Sequence, residues 1–228
     1  MNGPTEIYEP TDRRPIASRD RRVWQKVAAF LAARQVSPNA ISVAGLVAGT
    51  AAGLFLAATR FAEGDWRQRA LWLAAAASMQ LRLVANLLDG MVALASRKAS
   101  RLGELYNELP DRVSDAAVMI GAGYAVGGLP ILGYIAACVA ITTAYVRAVG
   151  KTAGAANLFI GPMAKPQRMF VLTLVALLMA AVPRNWQLCW GDQHAGLPAL
   201  GLALIIVGGL LTVRRRLAVI VRHLQGPN

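Results

Sequence analysis

Histidine and cysteine are nearly missing from this 228-residue chain, two of each, and the twelve acidic residues face 24 Lys and Arg. Cys138 and Cys189 fall in a predicted span and a predicted outer loop, which gives neither a disulfide framework nor metal-ligand spacing. His194 and His223 are remote from the charged centre of the sequence, which excludes nucleophilic triads built on histidine and His-rich zinc sites. Chemistry in this chain has to come from carboxylates or amides. Residues 1–22 are polar and basic and hold no short apolar segment with a cleavage site, so no cleaved signal peptide is expected. Internal repeats are absent too. Gly150-Lys151-Thr152 ends like a phosphate-binding loop, but Tyr145 stands where that motif needs its first glycine, and no strand pattern precedes it.

What is abundant is apolar surface. Hydrophobic residues make up 56% of the chain and charged residues only 16%, too apolar for an ordinary soluble domain of this length. Apolar runs recur at 40–59, 70–93, 104–126, 129–149, 168–183 and 197–213, and a helix needs about 20 such residues to cross the hydrocarbon layer. The expectation is an all-α polytopic membrane protein with six transmembrane helices. Four segments follow: a polar N-terminal stretch 1–17, an amphipathic juxtamembrane helix 18–36, a six-helix transmembrane domain 37–218 and a tail 219–228. The helix is expected to lie in the interface, because Val23, Val27, Phe30 and Leu31 share helical spacing while Arg19, Arg21, Arg22 and Lys26 take the rest of the turn.

The net charge of +12 raises the question of nucleic acid, and the positions of the basic residues answer it. With the N-terminus inside, eighteen of them fall in inner segments and four (Arg60, Arg67, Arg69 and Arg184) in outer loops, with Arg82 and Arg112 inside spans. That asymmetry follows the positive-inside rule and places both termini in the cytoplasm. Basic clusters there attract anionic lipid headgroups, so the expected partner is the bilayer and not nucleic acid. Span one carries Gly45, Gly49 and Gly53 at four-residue intervals, read as close helix packing within one subunit, with a dimer contact as the alternative.

Five of the twelve acids, Asp89, Glu104, Glu108, Asp111 and Asp115, crowd between positions 89 and 115, in or beside spans. A carboxylate in the bilayer costs at least about 2.5 kcal/mol, so several together call for a cavity, a cation or both. At 100° per residue, Glu104, Asn107, Glu108, Asp111 and Asp115 fall within an arc of about 100° on one helix, and Asn86 and Asp89 share a face of the preceding one. The short connection 94–102 makes those two spans expected antiparallel neighbours. Oxygen ligands without Cys or His suit Mg2+ or Mn2+, which bridge phosphates in transfer reactions. An Asp not committed to metal could accept the proton of an attacking hydroxyl. The bland alternative is a polar packing network with Arg82 and Arg112 as partners.

Asn86-Leu-Leu-Asp89-Gly90-Met-Val-Ala93, followed by Gly103, Asn107 and Asp111, resembles the signature of CDP-alcohol phosphatidyltransferases, D-x-x-D-G-x-x-A-R-x8-G-x-x-x-D-x-x-x-D. Asp89, Gly90, Ala93, Gly103 and Asp111 match in identity and interval, while Asn86 and Asn107 replace the first and third Asp and Leu94 replaces the Arg. The similarity extends to Pro38-Asn39, Tyr145-Val-Arg147, and Gly161-Pro-Met-Ala-Lys165 with Arg168. It implies phosphatidyl transfer from CDP-diacylglycerol to an alcohol, with release of CMP and a homodimer as the assembly. It also implies a metal site on Asn86, Asp89, Asn107 and Asp111, a CDP site on Asn86, Asp89, Gly90, Ala93 and Gly103, and Asp111 as general base. Two amides in place of carboxylates remove two negative charges from such a site. Glu104, Glu108 or Asp115 could restore charge, Asp115 first because it continues the 107, 111 register. Arg112, Arg147, Lys151, Lys165 and Arg168 are candidates for an acceptor phosphate, although basic residues at the inner face also follow from topology. A catalytically silent lipid- or metal-binding protein and a transporter are the competing readings.

Overall fold

The computed structural model describes residues 21–97, 101–155, 159–183, 187 and 195–225, without the side chains of 101, 102 and 104. Cys189, His194, Arg184, Lys98 and the stretch 1–17 lie outside the described residues, as does the Glu104 side chain. The described residues form seven α-helices in order: α1 Arg22–Ala33, α2 Pro38–Ala58, α3 Asp65–Ala95, α4 Arg101–Tyr124, α5 Pro130–Thr152, α6 Lys165–Ala181 and α7 Leu197–Gln225.

Helix starts follow the sequence punctuation. Pro38, Pro130 and Pro166 sit in the first turns of α2, α5 and α6, where a missing N–H costs nothing and the fixed φ suits the helix. Between α2 and α3 the chain turns through a short 3-10 segment, Thr59–Phe61, and Gly64 at φ +80°. That value is open to glycine and strained for most other residues. Pro110 lies inside α4, between Asn107 and Asp111, and removes one rung of the backbone ladder there.

Helices α2, α4, α5, α7, α6 and α3 pack each against the next and close a ring, with α1 lying on α3. The expected direct packing of α3 on α4 is replaced: among the described residues α2 stands between them and packs closely on both. The glycine stripe explains why. A methyl group at Gly53 would strike the Ala117 backbone, and one at Gly121 would strike the Gly53 backbone, so α2 and α4 cross at backbone contact and α2 takes the place beside α4. The stripe therefore serves packing within the subunit.

The ring interior holds Trp72, Met79, Met119, Met169, Leu172, Leu202 and Ile205, all essentially inaccessible. Outside, large apolar side chains such as Val47, Leu54, Leu81, Phe170 and Leu204 are half or more exposed. That distribution suits hydrocarbon as the surrounding medium. Among the described residues four stretches, Pro38–Phe61, Asp65–Ala95, Pro130–Thr152 and Leu197–Gln225, are long and apolar enough to cross a membrane. The other two of the six expected spans differ in kind. Helix α4 carries Glu108, Asp111, Arg112 and Asp115 in its middle, and α6 is 17 residues long. Helix α7 runs on to Gln225, so most of the expected tail continues the helix. Helix α1 is shorter than the expected 18–36 and packs Ala28 with Trp24, Val27 and Leu31 onto Leu88 and Val92, near the C-terminal end of α3.

Candidate active site

Among the described residues the buried charged side chains gather towards one end of the ring, where α2, α4 and α6 begin and α3 ends. Asp89 is buried on the last two turns of α3. Its Oδ2 accepts from the Ser42 hydroxyl of α2 at 2.8 Å and its Oδ1 from the Gly90 amide at 2.6 Å. Asn86, Gly90 and Ala93 are half-buried on the same helix, and their three- and four-residue intervals keep them on one side. Gly103 and Asn107, also half-buried, lead into the first turns of α4.

Asp111 and Asp115 follow on α4, both buried, and both are held by cations from other helices. Arg82 reaches from α3 over the face of α2: its Nη2 pairs with Asp111 Oδ1, and its Nε donates to Ser114 Oγ at 2.9 Å. The passage is cut by the stripe, since a methyl group at Gly45 would stand 2.9 Å from Arg82 Nη1 and one at Gly49 3.3 Å from Cδ. From α6, Lys165 Nζ lies 2.7 Å from Asp111 Oδ2 and 3.9 Å from Asp115 Oδ1. Arg168 donates to Asp115 Oδ2 at 2.9 Å and to the Met163 carbonyl at 3.1 Å. Arg82 and Lys165 also lie within electrostatic reach of Asp89, so three carboxylates and three cations form one buried cluster.

The five basic residues grouped from sequence as an acceptor pocket separate into two sets. Lys165 and Arg168 belong to the buried cluster. Arg112 and Arg147 instead grip Glu108 on the outer part of α4, each at 2.5 Å, and Arg147 also stacks over Phe159 at 5.4 Å. Lys151, one turn beyond Arg147 on α5, is exposed. Asp115, the leading substitute for a missing metal ligand, is turned towards Arg168.

As a holder for a divalent cation, the motif face offers oxygen atoms only: the carboxylates of Asp89 and Asp111 and the amide oxygens of Asn86 and Asn107. This chemistry fits a hard cation such as Mg2+ or Mn2+. Among the described residues no three His, Cys, Asp or Glu side chains converge as an all-charged metal cage, so the fit is to a weakly charged donor set. Ser42 and Ser114 are site residues that sequence reasoning missed. Serine in an apolar span is ambiguous, because its hydroxyl can bond its own helix, as Ser42 also does to the Pro38 carbonyl at 3.3 Å. For Ser114 the available signal was Arg82 itself, since an arginine in mid-span demands partners on the facing helix.

Three comparisons bear on this geometry. The profile of the CDP-alcohol phosphatidyltransferase family matches residues 35–215, which takes in the helices from α2 to most of α7. The Escherichia coli (strain K12) inner membrane protein YnbA is 26% identical over 158 residues, covering 69% of this chain and 75% of that one. Among solved structures, the Mycobacterium tuberculosis phosphatidylinositol phosphate synthase with CDP-DAG bound superposes with a TM-score of 0.67 at 19% identity, covering 88% of this chain and 94% of that chain. The same synthase in complex with manganese and citrate gives 0.67 and 19%, covering 87% and 88%. At that identity the likeness is one of fold.

Proposed function

Because the chain belongs to the CDP-alcohol phosphatidyltransferase family, we propose that it transfers the phosphatidyl group of CDP-diacylglycerol to an alcohol and releases CMP. One observation carries this reading. Asp89 and Asp111, buried carboxylates on the two helices of the spaced motif, lie at the same end of the ring as Lys165, within a buried charged cluster that an apolar bundle otherwise has no reason to hold.

In this reading the diphosphate of the CDP-lipid lies along Asn86, Asp89, Gly90, Ala93 and Gly103, where small residues let it approach the backbone. Asn86, Asp89, Asn107 and Asp111 form the cation-binding face, with Asp115 held back by Arg168. A bound Mg2+ or Mn2+ supplies charge neutralisation of the phosphoryl oxygens. The acceptor hydroxyl attacks the lipid-bearing phosphorus as Asp111 takes its proton. The bond to the CMP phosphate breaks, and CMP leaves with the electron pair. Both Asp111 oxygens face cations, so the proton reaches the carboxylate where Lys165 moves aside. Lys165 holds Asp111 with its side chain 12% exposed and its Nζ buried; in this reading an incoming acceptor phosphate draws it off Asp111, with Arg168 behind it. Arg112, Arg147 and Lys151 lie further out, on the path an anionic acceptor would take.

Phospholipid synthesis at the cytoplasmic face, six membrane-crossing helices with both termini inside, and a homodimer complete the proposal. The basic loops support the orientation. A second reading, a silent lipid- or metal-binding protein of the same fold, is favoured by the ion pairs on both oxygens of Asp111. CMP release by the purified chain from CDP-diacylglycerol, with Mg2+ or Mn2+ and a panel of alcohols, separates the two. Acceptor-dependent release that is lost in Asp89→Ala supports the transferase, and silence with CDP-diacylglycerol still bound supports the second reading.

A further inference from the structure

We infer that Arg82 is a resident cation of this site, holding the place on Asp111 that a bound divalent ion would otherwise take, so that the chain takes up a single divalent cation, on the Asp89 side. The inference rests on the reading of Asn86, Asp89, Asn107 and Asp111 as a cation-binding face. Its first support is geometric. The Arg82 guanidinium is 2% exposed, pairs with Asp111 Oδ1 and is fixed through Nε by Ser114 Oγ. Its stem lies in a trough that exists because positions 45 and 49 are glycine. A side chain seated this way has nowhere to swing. An arginine keeps its charge at any accessible pH, unlike a lysine, so the positive charge on Asp111 is permanent.

The second support is the balance of charge. Asp89, Asp111 and Asp115 are matched by Arg82, Lys165 and Arg168. Asn86 and Asn107 add oxygen atoms but no charge. One divalent ion can be held by Asp89, the amide oxygens and the diphosphate of an incoming nucleotide. A second ion on Asp111 would stand at contact distance from the guanidinium, and among the described residues no buried carboxylate besides Asp89, Asp111 and Asp115 is there to offset the repulsion. The two amides and the buried arginine thus form one device: charge removed from the ligands and a cation supplied by the chain itself.

The test counts ions. The full chain, purified in detergent, is dialysed against Mn2+ with CDP present, and bound metal is measured by electron paramagnetic resonance. One Mn2+ per chain is expected, and two or none would overturn the inference. Arg82→Lys, which keeps the charge, should also bind one. Arg82→Gln combined with Asn107→Asp should bind two, and a count still at one would show that Arg82 excludes nothing. Should that variant fail to fold, Asn86→Asp/Asn107→Asp serves instead: with Arg82 in place it should remain at one ion, bound at least about tenfold more tightly. A count of two there would contradict the inference. A chain that binds one Mn2+ but releases no CMP loses the transferase reading and keeps this one.

Discussion

Helix α4 carries two ion clusters built from the same kinds of side chain, and they differ in almost everything else. Glu108 with Arg112 and Arg147 sits near the start of the helix, with the Glu108 side chain 51% exposed and its partners 23% and 20%. Asp115 with Arg168 and Lys165 lies two turns further along, about 10 Å deeper, with the Asp115 and Arg168 side chains 2% and 3% exposed. The outer cluster is a solvated network whose members exchange partners with water at little cost. In the inner cluster every charge depends on a named partner, because an unpaired ion there has no solvent to turn to. One helix face thus contains both surface electrostatics and a candidate reaction centre, and depth along the axis separates them.

The largest expected effect is on the inner side. Asp111→Asn should lower CMP release by about 10²–10⁴-fold, the range for a positioned general base, while CDP-diacylglycerol binding measured by equilibrium dialysis stays close to that of the unaltered chain. Full turnover in this variant would remove Asp111 from the chemistry. Next comes the cost of a stranded charge. Arg168→Ala leaves Asp115 buried with its bonded partner gone and should destabilise the fold by about 3–5 kcal/mol, read as earlier thermal unfolding in detergent. Replacing both, Asp115→Leu with Arg168→Met, should recover most of that loss. A smaller effect is expected for Lys165→Gln, which removes a charged hydrogen bond of about 1.5–3 kcal/mol. The KM for a phosphorylated acceptor should rise by about ten- to hundredfold, and an unchanged KM would take Lys165 out of acceptor binding. The smallest belongs to the outer cluster, where Glu108→Gln should shift stability by no more than about 1 kcal/mol and leave CMP release nearly unchanged. A large effect there would erase the distinction between the two clusters.

Much of this was legible in the residues. The intervals from Asn86 to Asp111 identified the motif face, and the apolar runs located the helices of the bundle, with α6 beginning three residues early at Lys165 and α7 ending twelve late at Gln225. Pairing was less legible. Angular position puts Glu108 and Asp115 on one side of α4, yet periodicity carries no information about depth, so sequence ranks Asp115 ahead of Glu108 on register alone and says nothing of their burial. Arg112 and Arg147 were grouped with Lys165 and Arg168 for the same reason: a basic residue at the inner face has one appearance in sequence whether it grips Glu108 or Asp115. The short 94–102 connection suggested that α3 packs on α4. The Gly53 and Gly121 contact, a matter of two helices meeting backbone to backbone, puts α2 between them. Arg82 was visible as a mid-span charge, but its reach across α2 to Asp111 depends on Gly45 and Gly49 lying beneath it, a juxtaposition of separate helices that no single segment encodes.

The most direct test of the account is to identify the lipid formed. Purified chain, CDP-diacylglycerol, Mn2+ and a mixture of small alcohols and alcohol phosphates are incubated together, and the products are resolved by mass spectrometry with CMP quantified in parallel. The account predicts one new phosphatidyl lipid, formed in equal amount to the CMP released and absent with Asp111→Asn. CDP-diacylglycerol returned intact, or CMP accompanied only by phosphatidate from hydrolysis, would contradict it.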